Sequence, residues 1–367
     1  MNEARCTYYK EFIDENSSDQ SKLFRASKSL LNLQADKSLP PHSDASVLAN
    51  EMGEFFIHKI VASRSKLAGD TVFPAVTKRS PIGLSSCGDV ATLSEFKPLS
   101  EEAVRKMTVA SMKTCTLDPL PSSILSVCIE ELLPVISRMV NVSLQHGYFA
   151  DDWKRAVVHP MLKKSGLQLI NKNFRPVSNL QFTSKLTEKA VAVQLQEHML
   201  VNGLFPELQS AYRQHHSTET ALLKVKNDLL MALDKGQVTL LLLLDLSSAF
   251  HTVEHESILD RLRSKIEFRG KVLSWFECYL KGRSQPVSIS GTLSKPFDLK
   301  CALPQGSCLG TLFINIYVSK LFQILKHHLP SVQTIPSCIC HLRPLTFPVK
   351  SSLYQPCRSA SAMSDLG

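Results

Sequence analysis

The chain has 367 residues, 44% of them hydrophobic, which is enough for a sizeable buried core and argues against wholesale disorder. Its 42 Lys and Arg outnumber its 33 Asp and Glu, and the formal charge of +9 suits a polyanionic partner such as nucleic acid. The longest apolar run, Val238 to Leu244, is too short for a membrane span, and the N-terminus has no apolar signal core. We therefore expect an intracellular protein, nuclear or cytoplasmic, with no membrane partner and ten reduced cysteines.

The first 98 residues are predicted to form a helical segment followed by a linker. Asp44 can cap a helix in which Phe56 and Ile60 fall at helical spacing. Residues 69–98 are rich in Pro, Gly, Ser and Thr, a composition typical of a linker.

Helices and strands alternate along the rest of the chain, which predicts a mixed α/β (α+β) fold. Ser100 can cap a helix, and Ile124 to Leu144 is apolar at helical spacing, with Pro134 as a break between two pieces. The other predicted elements are a short strand around Val157–Met161, helices at Ser184–Leu200 and Thr218–Leu233, a buried strand at Val238–Leu244, helices at Glu254–Lys265 and Lys271–Leu280, paired strands at Gln285–Ser290 and Phe297–Cys301, and a last helix at Leu309–Leu325.

Asp245 closes the buried apolar strand and is the most informative single residue. A bare carboxylate at the end of a buried strand must be hydrogen-bonded, neutralised or bound to metal, because burying an uncompensated charge is very costly. Taken alone, Asp245 also suits a simple turn that uses the backbone of Ser247 or Ser248.

Six strings, in order within residues 115 to 330, resemble motifs of the reverse transcriptases of LINE-type non-LTR retrotransposons. The first aspartate motif of that family is similar to Leu-Asp-Leu-Ser-Ser-Ala-Phe at 244–250. The other strings are Asn-Phe-Arg-Pro-Val-Ser-Asn-Leu at 173–180, Gln-Ser-Ala-Tyr-Arg at 209–213, His-Ser-Thr-Glu-Thr-Ala-Leu at 216–222, the Trp-Phe string from Trp275 to Gln285, and Leu-Pro-Gln-Gly-Ser at 303–307.

The resemblance implies a right-hand polymerase fold with fingers and a partial palm. Its chemistry would be template-directed phosphoryl transfer from dNTPs, with Mg²⁺ ions held by carboxylates. Asp245 would be the catalytic metal ligand, and Phe250 the steric gate that rejects a ribose 2′-hydroxyl. The implied partners are an RNA template, a DNA primer or RNA–DNA hybrid, and dNTPs, whereas protein partners are unknown.

The resemblance also implies residues for the incoming nucleotide. Gln305 would contact it, with Gly306 allowing close approach of the backbone. Lys163 or Lys164, together with Arg175, would hold the triphosphate, since a planar guanidinium suits bidentate phosphate binding. Without the family context, the two lysines suit a solvated turn.

One expected motif is missing. The family places a Tyr/Phe-Ala-Asp-Asp string shortly after the Pro-Gln-Gly-Ser helix, but no acid lies between Asp298 and Asp365 here. A Phe-Ala-Asp-Asp string at 149–152 precedes the Asn-Phe-Arg-Pro string, so we interpret it as a surface turn. Because a two-metal site needs several carboxylates, we expect Asp245 without its partner aspartates to leave the enzyme inactive.

A frameshift would explain the missing motif. When residues 333–342 are back-translated and read two bases later, the codons permit Asp-Asp-Thr-Gln-Leu-Tyr-Leu-Ser-Phe, which resembles the family's second aspartate motif. Coding DNA that cannot yield both acids in the shifted frame would exclude this hypothesis. Smaller departures from the family pattern, such as Ala302 and Ala211 where the family usually has Gly, also indicate that the sequence has drifted from that of an active enzyme.

We accordingly divide the chain into three segments. Residues 1–98 are a helical extension resembling the connector between endonuclease and polymerase, and residues 99–330 are an incomplete reverse transcriptase without a thumb. Residues 331–367, rich in Pro, are expected to be irregular and out of frame, with the palm hairpin lost. Three functions stay open: a polymerase by descent, a catalytically dead RNA or RNA–DNA binding module, and a pseudogene product.

Overall fold

The computed structural model describes residues 2–17, 39–69, 90–109, 115–206, 209–213, 215–243, 250, 253–299, 301–328 and 341–347, together with 19, 22–23 and 26–27. Its helices are α1 (Asn2–Glu15), α2 (Ala45–Gly69), α3 (Glu101–Val109), α4 (Ser122–Val127), α5 (Ile129–His146), α6 (Phe182–Val201), α7 (Thr218–Asp234), α8 (His255–Ser264), α9 (Gly270–Leu280) and α10 (Cys308–His328). Its strands are β1 (Ala156–Leu162), β2 (Phe174–Leu180), β3 (Val238–Leu243), β4 (Arg283–Gln285), β5 (Ser288–Ile289), β6 (Thr292–Leu293), β7 (Phe297–Leu299) and β8 (His341–Phe347).

The predicted mixture of helices and strands is therefore confirmed in the part of the chain that the structure describes. No helix within those residues is long and apolar enough to cross a membrane. The cysteines described there are free thiols, as expected.

Local side-chain caps begin several helices where the sequence predicted them. Asp44 Oδ1 accepts a hydrogen bond of 2.7 Å from the Ser46 amide at the start of α2. At α7, Ser217 and Thr220 form a reciprocal capping box, in which each side chain accepts from the other residue's amide. These contacts satisfy amides that have no partner within the helix.

The predicted break at Pro134 is wrong. The helical region divides at Cys128, between α4 and α5, and Pro134 lies inside α5. A proline there removes one backbone hydrogen bond. The helix continues because Leu133, Ile136 and Val140 form one buried stripe on its inner face, and their packing outweighs that loss.

The main core lies between α3, α5, α6, α8, α9 and α10. Its centre is a cluster of buried aromatic rings, in which Trp275 and Tyr279 of α9 stack with centroids 5.3 Å apart and Phe149 meets both edge-on. The Trp275 indole donates to Ser143 Oγ at 3.1 Å, so its one polar atom is satisfied inside the core.

A small group of strands lies beside this core. β1 and β2 form an antiparallel hairpin, and β4–β7 and β5–β6 form two shorter antiparallel pairs. The Val158 amide of β1 donates to the Pro286 carbonyl at 2.8 Å, which joins the hairpin to the shorter strands. The predicted pairing of strands on either side of Gly291 is confirmed. It is divided into two ladders, β4 with β7 and β5 with β6.

Helix α2 packs directly on these strands. Met52 and Phe56 share a buried cluster with Val158, Phe174 and Val287. Helix α2 is thus tied to the strand group through apolar packing. The linker predicted over residues 69–98 is wrong at Phe96, which is buried in the main core.

The C-terminal tail contains a strand, so the prediction that residues 331–367 are irregular is wrong for residues 341–347. β8 pairs antiparallel with β3, from Val238 opposite Phe347 to Leu243 opposite His341. The register shifts between Leu241 and Leu243, next to Pro344. A proline is tolerated in a two-stranded ladder, where each strand has an open edge. β3 was expected to be fully buried, but Val238 at its start is exposed.

Candidate active site

The Pro304–Ser307 turn at the start of α10 is fastened to strand β2. The Ser178 amide donates to the Gln305 carbonyl at 2.8 Å. Gly306 has φ +133°, and a Cβ at this position would lie 2.5 Å from the Ser178 carbonyl oxygen. Only glycine fits this backbone shape and this close approach, which explains the Gly in the turn.

Phe250 lies beside the same turn. Its carbonyl accepts from the Leu303 amide at 2.8 Å, and the Val253 carbonyl accepts from Ala302 at 2.9 Å. The ring of Phe250 packs at the edge of the main core, and a Cβ on Gly310 would lie 3.2 Å from one of its ring carbons. The structure therefore brings Phe250, Gln305 and Gly306 together, while their individual roles stay predictions.

Ala302 adopts a backbone conformation that favours glycine. Its φ is +79°, and it is buried against Ile60 and Leu299. The side chain of His255 donates from Nε2 to the Ala302 carbonyl at 2.8 Å, and burial lowers the pKa of that histidine. This positive φ explains why the family usually has glycine at this position. Ala302 adopts the same backbone conformation at a cost in conformational energy.

The predicted triphosphate residues lie on the β1–β2 hairpin. Arg175 is exposed on β2, directly opposite Met161. Lys163 and Lys164 follow the end of β1, and the Lys163 ammonium donates to the Lys172 carbonyl at 2.6 Å. The three cations therefore share the hairpin that carries Ser178.

Asp245 lies in residues 244–249, outside the described part of the chain, so its role as a metal ligand stays a prediction. Among the described residues no group of three or more His, Cys, Asp or Glu could hold a metal ion. The sequence offers no acid between Asp298 and Asp365. A two-metal Mg²⁺ site needs several carboxylates, and the described residues do not bring such a set together.

The Phe-Ala-Asp-Asp string does not supply the missing acids. Phe149 is buried in the aromatic cluster, whereas Asp151 and Asp152 are exposed at the start of a short 3₁₀ turn. Asp151 pairs with Lys154 at 2.7 Å, and this contact lowers the pKa of Asp151. The string is therefore a surface turn, and its aromatic residue, Phe149, packs in the core.

A network of buried charged residues contacts the chain directly after the Pro304–Ser307 turn. Glu188 of α6 is completely buried and accepts a 2.8 Å hydrogen bond from the Cys308 amide, the first of α10. It also accepts from the Tyr279 hydroxyl at 3.1 Å. Arg283, itself 1% exposed, lies 3.9 Å from the same carboxylate.

Arg283 is held by its own set of contacts. Its Nε donates to the Tyr279 carbonyl at 2.9 Å, and its guanidinium lies over the Tyr279 ring at 4.2 Å. Burial raises the pKa of Glu188, while Arg283 and the Cys308 amide oppose that rise by stabilising the carboxylate. Burial, followed by the nearby carboxylate, raises the pKa of Tyr279, which keeps its hydroxyl protonated as a donor.

Sequence reasoning missed Glu188. A glutamate in an amphipathic helix is usually solvated, and no motif marked this one. The available signal was its position: Glu188 lies four residues after Ser184 and four before Ala192, on the face of α6 that is buried. A charge on the buried face of a helix requires a partner, and Arg283 is that partner.

Comparison with known proteins agrees with the geometry. Residues 161–342 match the reverse transcriptase (RNA-dependent DNA polymerase) family. The probable RNA-directed DNA polymerase from transposon BS of Drosophila melanogaster is 27% identical over 233 residues, 62% of this chain and 25% of that protein. The probable RNA-directed DNA polymerase from transposon X-element of the same species is 29% identical over 182 residues, 50% of this chain and 20% of that protein. The RNA-directed DNA polymerase from mobile element jockey, also of Drosophila melanogaster, is 25% identical over 242 residues, 66% of this chain and 26% of that protein.

The described fold, a mixture of helices and strands around a turn of this kind, fits a polymerase-like α/β domain. Residues 161–342 therefore form a reverse transcriptase domain of the kind found in non-LTR retrotransposons. It spans a fifth to about a quarter of the length of these three relatives. The family match ends at residue 342, beyond the boundary that we predicted at residue 330.

Substituting Gly306 by Ala should destabilise the fold by about 2–3 kcal/mol, because Ala adds both strain at positive φ and a clash with the Ser178 carbonyl. Gly166→Ala is the matched control, since its φ is +79° but nothing lies within 4 Å of a Cβ there. Urea unfolding of both variants separates the two contributions. Equal losses would show that Gly306 does not approach β2.

Removing one member of the Glu188–Arg283 pair should cost about 3–5 kcal/mol, because the other charge stays buried and unpaired. Glu188→Leu and Arg283→Leu should each show this loss in denaturant unfolding. The double variant should lose clearly less than the sum of the single losses. Additive losses would contradict the pairing.

Proposed function

We propose that the chain is the nucleotide- and template-binding core of a non-LTR retrotransposon reverse transcriptase that no longer synthesises DNA. Its ancestral reaction is template-directed phosphoryl transfer from dNTPs. It works inside the cell, in the nucleus or cytoplasm, where RNA and dNTPs are present.

One observation supports the proposal: backbone hydrogen bonds hold Ser178, Phe250 and the Gln305 turn together, whereas the sequence has no acid between Asp298 and Asp365. The hydrogen bonds from Ser178 to Gln305 and from Leu303 to Phe250 join three separate strings of the family into one site. None of these bonds involves a metal-binding carboxylate. The framework can therefore form without the missing motif.

Retained positive charge supports binding of nucleic acid. Among the described residues, no carboxylate lies within ion-pair distance of Lys163, Lys164 or Arg175. Cations without a carboxylate partner are available to phosphates, and each phosphate contact adds affinity that falls as salt rises. Gln305, half-exposed on the turn, would meet the base or sugar of a bound nucleotide.

Loss of synthesis follows from charge balance. Two Mg²⁺ ions bring four positive charges, and Asp245 alone contributes one negative charge from the protein. A frameshift before residue 333 would account for the loss while leaving the earlier strings intact. If the chain instead failed to fold, it would be a pseudogene product with neither function.

The test compares binding and synthesis in the same full-length protein. Fluorescence anisotropy would measure the affinity for a labelled RNA template with an annealed DNA primer at several salt concentrations. Primer extension with Mg²⁺ and dNTPs would measure synthesis, with Asp245→Ala as the control. We expect salt-dependent binding and no extension above the control.

Two results would overturn the proposal. Extension that Asp245→Ala abolishes would mean that other residues complete a metal site and that the enzyme is active. Absence of binding at low salt by a monodisperse protein would mean that no nucleic-acid function survives.

A further inference from the structure

Helix α2, which lies before the matched domain, forms one wall of the cleft at Gln305. Phe56 and Ile60 line this cleft from α2, Ser178 lines it from β2, and Gln305 lines it from the turn before α10. The wall is fixed in place because Phe56 is buried in the cluster that holds Val158 of the hairpin.

Lys59 lies on the same turn of α2, between the two cleft-lining residues. Leu162, the last residue of β1, packs against the cluster of Phe56, and Lys163 follows it directly. The packing of α2 on the hairpin therefore brings Lys59 and Lys163 close enough for their charges to interact, beside the end of β1.

The two ammonium groups repel each other. Burial lowers the pKa of Lys59, and the charge of Lys163 lowers it further. Within the described residues neither lysine has a carboxylate partner at ion-pair distance. By contrast, Lys295 contacts the same helix and pairs with Glu54 at 2.7 Å. Holding two cations together without an acid costs energy, which a bound anion would recover.

We infer that Lys59 and Lys163 form a phosphate-binding site beside the end of β1, so that α2 contributes directly to ligand binding. The inference rests on the proposed function, because it extends the same site. The Asn173 carbonyl accepts from the Lys163 amide, and Asn173 lies five residues before Ser178, or about 16 Å at 3.3 Å per residue of extended chain. A ligand that reaches from Gln305 to the lysines is therefore elongated, as a nucleoside triphosphate or a stretch of RNA backbone is.

The experiment measures two ligands in the full chain. The variants are Lys59→Gln, Lys59→Arg, which keeps the charge, and Lys295→Gln, the paired control on the same helix. One arm uses a fluorescent dNTP, and the other uses a primer–template without dNTP. The two arms distinguish a triphosphate from a backbone phosphate.

We expect Lys59→Gln to weaken one of the two ligands about 3- to 10-fold, with Lys59→Arg and Lys295→Gln within twofold of the natural protein. If the ligand is the RNA backbone, the slope of log affinity against log salt should fall by about 0.7–0.9. Lys59→Gln should also raise the unfolding temperature of the free protein, because it removes the repulsion from Lys163.

Unchanged affinity for both ligands in Lys59→Gln would overturn this inference while leaving the proposed function standing. A loss of the same size in Lys295→Gln would also overturn it, because the effect would then be general to lysines on this surface. If the natural protein bound neither ligand, the proposed function and this inference would both fail.

Discussion

The buried pair of Glu188 and Arg283 is the interaction on which the geometry of the candidate site depends. Taking both charges out of water costs several kcal/mol for each ion, and hydrogen bonds to the pair offset part of that cost. Those bonds come from the Tyr279 hydroxyl and the Cys308 amide to Glu188, and from Arg283 to the Tyr279 carbonyl. One carboxylate thereby joins α6, α9, β4 and the first amide of α10.

This pair helps to set the positions of the neighbouring turn and strand. With the start of α10 fixed by Glu188, the Pro304–Ser307 turn has one orientation, in which Ser178 of β2 can donate to Gln305. Helix α2 packs against β1 and β2 through apolar contacts. The cleft is thus built from packing and hydrogen bonds between elements that come before and after Asp245 in the chain. None of these contacts involves an acid of the predicted metal site, so under the proposed function the cleft can form without those acids.

Much of the secondary structure could be predicted from local signals, because caps and apolar spacing act over a few residues. The helix after Ser217 and the strand around Val158 are examples. Pro134 misled because tertiary packing outweighed a local preference, and β8 was missed because strand pairing joins residues about a hundred positions apart. The grouping of Phe250 with the Gln305 turn could be anticipated only through resemblance to a family. Glu188 and the placement of α2 on the cleft depend on contacts between distant segments, which no local pattern records.

Hydrogen–deuterium exchange in the full-length protein tests most directly whether this framework exists. The informative amides are those of Ser178, Leu303 and Cys308, since each donates one of the hydrogen bonds that build the site. The account predicts slow exchange at all three amides in the absence of nucleic acid, dNTP and metal, as expected for groups that open only with the core. Exchange at the rate of an unfolded chain at these positions, while the aromatic core around Trp275 stays protected, would contradict it.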